Sequence, residues 1–371
     1  MTESFAIPGL TLSETAQKSL LREGIVEPTA VQLAAVPEVL AGKDVIIQSG
    51  TGTGKTLAYL LPLLQRAERD PSLRVLVLAP SPELALQILR TMEAYKSPTL
   101  KSASLVGSGN TERQKDKLKK HPQFVVGTPG RVLEMIFDRK LLAKSINVLV
   151  LDEIDQILNE QNEAALREII SRPEYNSSFI VASATFGKRA EAFAHDCMSK
   201  DRVRLQVEGS PLRQNIQHQY MVFAEHRNEL TLPRLIKKLK IDAALVFVHK
   251  GYTVAKLFHA LQAHQIPCAT LSAERSKQQR QEALEDFKSR KVRVLVATDA
   301  AARGIDIKDL SWVIHFELAN DHQSYQHRAG RTGRAGKNGT SLVMVERGEL
   351  ETLERQAKAL RVQFTQLPTL E

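Results

Sequence analysis

Short runs of almost uninterrupted apolar residues recur along the whole chain, each followed by a stretch of helical character. That alternation restricts the fold more than any other feature. In the first half the runs fall at residues 45–47, 75–78, 124–126, 148–151 and 179–181. In the second half they fall at 245–248, 268–271, 292–296, 312–316 and 342–345. A strand with one wet face alternates apolar and polar residues, whereas a strand buried on both faces does not. The pattern predicts parallel sheets covered by helices, an α/β fold in each half. A helix is expected over 13–23, with Ser13 as N-cap and Gly24 as stop signal, and another over 349–360. At 371 residues the chain exceeds what one core usually holds. Two domains are expected, 1–206 and 217–371, joined by a linker over 207–216 where Gly209, Ser210 and Pro211 favour turns.

Bulk composition removes several classes. No apolar run reaches membrane-spanning length, and Met1-Thr2-Glu3-Ser4 has neither the basic start nor the apolar stretch of a leader, so no membrane partner is expected. The cysteines, Cys197 and Cys268, lie far apart without metal-ligand spacing, which argues against a disulfide framework or zinc site and fits a cytoplasmic location. Net charge is +9, most of it from the second half, which is compatible with a polyanionic partner and equally with simple solubility. The densest basic cluster, Lys115, Lys117, Lys119 and Lys120, reads as a solvated helix face.

The first predicted strand runs into Gln48-Ser49-Gly50-Thr51-Gly52-Thr53-Gly54-Lys55-Thr56, and a helical run follows. A glycine loop at a helix N-terminus wraps backbone N–H groups around a phosphate. Lys55 adds a point charge for the β- and γ-phosphates, and the Thr56 hydroxyl is a magnesium ligand. Ser49 stands where the generic loop has its first glycine. The run 148–151 leads into Asp152-Glu153-Ile154-Asp155. Ligands sit outside the carboxyl ends of strands in open parallel sheets, so these acids are expected beside the phosphate loop. Asp152 can hold Mg²⁺ through water, and Glu153 can orient and deprotonate an attacking water. Acids after a strand are by themselves more often helix caps; with Lys55 they complete a nucleotide-hydrolysis site.

Together with these motifs, further segments make the chain resemble the DEAD-box RNA helicases over nearly its whole length. Residues 24–32, ending in Gln32, resemble the family's Q motif, with Phe5 as the upstream aromatic. The resemblance implies that Gln32 reads adenine and Phe5 stacks on it; a core role for Phe5 is the bland alternative. It assigns ATP binding to Ser49, Gly50, Thr51, Gly52, Thr53, Gly54, Lys55 and Thr56. Ser183-Ala184-Thr185 matches the family's coupling motif, with Asp155 as its partner. Residues 297–306 resemble motif V, which implies a ribose contact from Asp306 and an RNA contact from Thr298. Residues 327–334 resemble motif VI, which implies coupling through His327 and Arg328 and arginine fingers at Arg331 and Arg334.

RNA contacts implied by the resemblance are Gly107, Thr128, Pro129, Gly130, Arg131, Arg280 and Thr298. Several positions depart from the family's pattern: Pro82 replaces an arginine, Ser108 splits a double glycine, Ser272-Ala273 replaces a His-Gly pair, Lys277 replaces a glutamine, and Ile154 replaces an alanine. The resemblance implies two tandem RecA-like domains, each a mainly parallel sheet flanked by helices, using ATP and Mg²⁺ and acting on RNA. It also implies a monomeric minimal core, served by a recruiting protein. An ATP-gated RNA clamp, a DNA helicase and an unrelated phosphate-loop enzyme are the rival readings.

Overall fold

The computed structural model describes residues 5–50, 52–107, 110–159, 162–171, 177–207, 215–223, 228–272, 274–302, 310–333 and 338–368. The chain divides into two units, Met1–Gly209 and Ser210–Glu371, each built on one seven-stranded sheet. The first sheet comprises β1 Val45–Gln48, β2 Val75–Leu78, β3 Ser102–Leu105, β4 Phe124–Gly127, β5 Val148–Asp152, β6 Ser178–Ser183 and β7 Val203–Gln206. Their order across the sheet is β3-β4-β2-β5-β6-β1-β7. The second comprises β8 Ile216–Phe223, β9 Ala244–Val248, β10 Cys268–Leu271, β11 Val294–Thr298, β12 Trp312–His315, β13 Gly339–Glu346 and β14 Thr365–Gln366, ordered β10-β11-β9-β12-β13-β8-β14. The strand pairings are parallel in both.

The apolar runs are explained by which way alternate residues face. Val45, Val75, Val77, Val148 and Val150 pack into a cluster on one side of the first sheet. Ile46, Leu76, Leu78, Leu149 and Leu151 pack into another on the opposite side. The second sheet repeats this, with Val246 and Val296 on one face and Leu245 and Leu295 on the other. Each fully buried side chain of this size contributes roughly 1.5–3 kcal/mol. Two covered faces therefore require the uninterrupted runs read from the sequence.

The helix at the N-terminus is Glu14–Arg22, capped by Ser13, whose hydroxyl accepts from the Ala16 amide at 3.3 Å. Gly24 follows with φ +68°, a left-handed turn that glycine adopts without strain. The helix expected near the C-terminus spans Leu350–Leu360.

The boundary differs from expectation. Residues 208–214 lie outside the described residues, but the ends read as linker are part of the sheets. The Val207 amide donates to Gln48 O at 3.0 Å, prolonging the pairing of β7 with β1. Asn215 O accepts from the Gly339 amide at 3.0 Å, and Ile216 opens β8. Backbone groups at a sheet edge must find partners, and these residues supply them.

Parallel order aligns the strand ends that matter. Gln48 is in register with Ser183, and Asp152 with Ala182. The carboxyl ends of β1, β6 and β5 are thus neighbours. In the second unit, Thr298 at the end of β11 is in register with Val248 at the end of β9.

Candidate functional site

β1 turns through the glycine loop into the helix Lys55–Arg69. Gly54 caps that helix with φ +94°, and a Cβ there would meet Gln32 Nε2 at 2.5 Å, so both backbone and space require glycine. Ser49 Oγ donates to Thr53 Oγ1 at 2.8 Å, which donates to Gly50 O at 2.9 Å. The Ser49 side chain thus cross-ties the loop, and the Ser49 amide donates to Ser183 O at 3.0 Å. Lys55 Nζ donates to the carbonyls of Ser49 and Gly50 at 2.6 and 2.7 Å. Burial lowers the Lys55 ammonium below its usual pKa, while Asp152, Glu153 and Asp155 oppose the shift. Thr51 lies outside the described residues; Gly52 takes a positive φ in the same loop.

Gln32 is buried and binds this loop to the preceding helix. Its Oε1 accepts from the Thr29 amide at 2.9 Å, and its Nε2 donates to Gly54 O at 3.3 Å. Each atom keeps a second hydrogen-bonding position, which is what a bidentate adenine contact needs. Phe5 is half-buried against the first core cluster.

Asp152 ends β5 and is buried. Tyr59, one turn beyond Lys55 on the same helix, donates its hydroxyl to Asp152 Oδ2 at 2.8 Å. Burial pushes the Asp152 carboxyl above its usual pKa, opposed first by the Tyr59 hydrogen bond and then by the Lys55 charge. Burial likewise pushes the Tyr59 phenol well above its usual value, with Asp152 adding to the shift. Tyr59 was not singled out in the sequence; its position four residues after Lys55, on the face of a phosphate-loop helix, was the available signal.

Glu153 takes φ +59° and ψ +54°, a left-handed backbone that is costly for a side chain longer than glycine's. Its amide is fixed to Ala182 O at 2.9 Å. Strain held by neighbouring strands is characteristic of functional positions. Asp155 accepts the Ser183 hydroxyl on Oδ1 and the Thr185 hydroxyl on Oδ2, each at 2.7 Å. The acidic turn and residues 183–185, Ala184 among them, are therefore locked together. Ile154 is fully buried in the core below, so its bulk fills space away from the phosphate loop. Thr56 and Asp152 offer hard oxygen donors; a magnesium ion bound mostly by water and phosphate needs one or two such groups. Among the described residues there is no cluster of three His, Cys, Asp or Glu side chains that would instead form a closed metal cage.

The residues read as RNA contacts divide. Gly107 and Gly130 are exposed, and Pro129 opens the helix Pro129–Phe137 behind a half-buried Thr128. Arg131 turns inward. Its Nε donates to Gln114 Oε1 at 3.1 Å, one terminal nitrogen to Thr111 Oγ1 at 2.7 Å, and the other to the Glu134 carboxylate. A guanidinium so engaged braces two helices, and a side-chain contact to RNA would require breaking these bonds. Pro82 is the first residue of the helix Pro82–Tyr95, behind the N-cap Ser81, a position that suits proline.

In the second unit, Arg328 is buried and organises the segment 327–333. It donates to Asp299 Oδ1 and Oδ2 at 2.6 Å each and to Glu317 O at 2.7 Å, and its guanidinium lies 5.3 Å from the centre of the Phe247 ring. Asp299, the residue after Thr298, escaped the sequence reading. Thr298 is buried, and its hydroxyl accepts from the Ala301 amide at 3.4 Å. His327, Arg331 and Arg280 are each partly buried. Asp306, Arg334 and Ser108 lie outside the described residues.

Two RecA-like domains, the first with its phosphate loop beside an acidic strand end, place the chain among the tandem RecA-like ATPases. Comparison with known proteins narrows the class. The DEAD/DEAH box helicase family matches residues 29–193, and the helicase conserved C-terminal domain matches residues 227–336. The chain is 38% identical to the DEAD-box ATP-dependent RNA helicase CshC of Bacillus cereus, over 94% of this chain and 90% of that protein. It is 36% identical to the probable ATP-dependent RNA helicase YfmL of Bacillus subtilis, over 94% and 93%. Among solved structures it is similar to S. cerevisiae Dbp5 bound to RNA and ADP–BeF3, with a TM-score of 0.83, 27% identity, and coverage of 99% and 96%. The chain belongs to the DEAD-box helicase family.

Proposed function

We propose that the chain is an ATP-dependent RNA helicase, hydrolysing ATP and unwinding RNA. The observation that carries this is a set of bonds at the carboxyl ends of β1, β5 and β6, in a chain of this family: Tyr59 of the phosphate-loop helix to Asp152, the Ser49 amide of the loop to Ser183 O, and Ser183 and Thr185 to Asp155. Lys55 and the loop amides would hold the phosphates, and Gln32 and Phe5 the adenine. Thr56 and Asp152 would hold Mg²⁺, which when bound neutralises phosphate charge. Glu153 would orient and deprotonate water, its backbone twist setting the carboxylate's direction.

The second unit would supply Arg331, with Arg334, to the developing charge of the γ-phosphoryl group. Arg328, fixed by Asp299, would set the position of that segment. Hydrolysis then requires both units at one nucleotide, and RNA gripped through its backbone would favour their closure. The names of the relatives do not favour the clamp reading. Among the described residues no helix is long and apolar enough to cross a membrane; a cytoplasmic monomer that depends on a recruiting protein completes the proposal.

ATP turnover measured alone, with single-stranded RNA and with DNA of the same sequence tests this. RNA should raise the rate and DNA should not. A rate indifferent to RNA would remove the coupling between polynucleotide and hydrolysis.

A further inference from the structure

Some basic side chains near the surface of this chain are held in ion pairs. In the cluster flagged by the sequence, Lys115 meets Asp138 at 3.2 Å and Lys119 meets Asp116 at 2.8 Å. Lys250 and Lys256 are not held in this way. Both are exposed, and among the described residues neither has a carboxylate within ion-pair distance. What they share is a ring. Lys250 Nζ lies 5.8 Å and Lys256 Nζ 5.7 Å from the centre of Tyr252, an aromatic side chain that is 59% exposed. The ring is set by the fold: Lys250 caps the helix Gly251–Ala263, Tyr252 sits in its first turn, and Lys256 follows one turn later on the same face.

The location gives the group meaning. The helix starts three residues after Val248, whose register partner is Thr298, so the ring stands at the carboxyl edge of the second sheet. Exposed tyrosine beside unpaired lysines offers a flat π-surface and two cations, the complement of a nucleobase carrying its phosphates. A protein core gains nothing from this arrangement, since the ring is exposed and the lysines remain solvated. Glu274 closes on Gly251 without reaching ion-pair distance of either lysine, so the two charges stay available.

We propose that Tyr252 is a stacking platform for one base of single-stranded RNA, with Lys250 and Lys256 on its flanking phosphates. This rests on the RNA-binding reading above. It adds a base contact to a grip otherwise made through the backbone, and it places that contact outside the ATP machinery.

The test is RNA affinity of the full chain, measured by fluorescence anisotropy at several salt concentrations, with single abasic sites walked along the strand. In the unaltered protein, one abasic position should weaken binding about 5- to 30-fold, the low range for one stacked base. Tyr252→Ala should weaken intact RNA by the same factor and erase the positional dependence, while Tyr252→Trp keeps both. Joint replacement of Lys250 and Lys256 by Gln should lower the salt slope by about 1.4, at roughly 0.7 per phosphate contact on a single strand. RNA-free ATP turnover should be unchanged in all of them. Intact RNA affinity and a flat abasic profile in Tyr252→Ala would overturn the platform. Loss of polyglutamate binding in that variant with RNA binding intact would also overturn it, in favour of an acidic protein segment. Absence of RNA binding by the unaltered protein would instead defeat the underlying RNA reading.

Discussion

The two units carry the same sheet and treat their polar interior in opposite ways. In the first, buried polar groups gather at one strand edge and bond to one another across elements: Tyr59 to Asp152, Ser183 and Thr185 to Asp155, Ser49 to Thr53. In the second, they lie beneath the helix His322–Ala329 as a brace. Arg328 is clamped by Asp299, while Tyr325 stacks on His315 with ring centres 4.7 Å apart. The Ser341 hydroxyl meets both His315 Nε2 and the Tyr325 hydroxyl at 3.0 Å, and His218 Nδ1 meets that hydroxyl at 2.6 Å. The first unit gathers these groups at the phosphate-loop end of its sheet, whereas the second fixes one segment through Arg328. Substitutions should therefore damage chemistry in the first unit and architecture in the second.

The largest expected break is Arg328→Ala. It leaves Asp299 without its bidentate partner in a largely buried site, which costs about 3–5 kcal/mol. Amide exchange in β11 to β13 should accelerate by that amount, with the first unit unaffected. Protection unchanged across the second sheet would mean the ion pair is not a brace. Next is Tyr59→Phe, which removes one hydrogen bond to a carboxylate, about 1.5–3 kcal/mol. Its signature should be slower ATP turnover at nearly unaltered affinity for single-stranded RNA; full turnover would take Tyr59 out of the site.

The smallest is a pH effect. Burial, and secondarily the charge of Arg328 and the neighbouring His218, holds the His315 imidazole well below its usual pKa of 6.5. The unfolded chain takes up a proton below that value and the folded chain does not, so this stability is present above pH 6.5 and lost on acidification. The second unit should lose about 1 kcal/mol between pH 6.5 and 5.5, and His315→Asn should abolish the loss. Equal acid sensitivity of the variant would sharpen the comparison by shifting the cause to another group.

Residues buried on two faces announced themselves, because nothing polar is tolerated there; 45–47, 148–151 and 245–248 are the examples. β3, β7, β8 and β14 carry no such signal, because Ser102–Leu105, Val203–Gln206 and Ile216–Phe223 mix polar with apolar residues, as strands with a partly wet face do, and Thr365–Gln366 is two polar residues. Composition does not show that Val207, Asn215 and Ile216 join the sheets, because sheet-edge hydrogen bonds leave no mark on it. Motif residues were legible through local spacing, but their partners were not. Tyr59 lies 93 residues from Asp152, and Arg328 lies 29 from Asp299, distances that only topology closes. Arg131 shows the converse: its motif is plain, yet Gln114, Thr111 and Glu134 turn it inward.

In the proposed mechanism the second unit completes the chemistry begun in the first. ATP turnover by Arg331→Ala, at saturating ATP and RNA, measures that dependence directly. The expected result is a fall of about 10³–10⁵-fold, as for arginine fingers in other nucleotide hydrolases, with ATP still bound and Lys55 and Glu153 intact. Turnover within a few-fold of the unaltered protein would show that the first unit hydrolyses ATP unaided, and would contradict the split site.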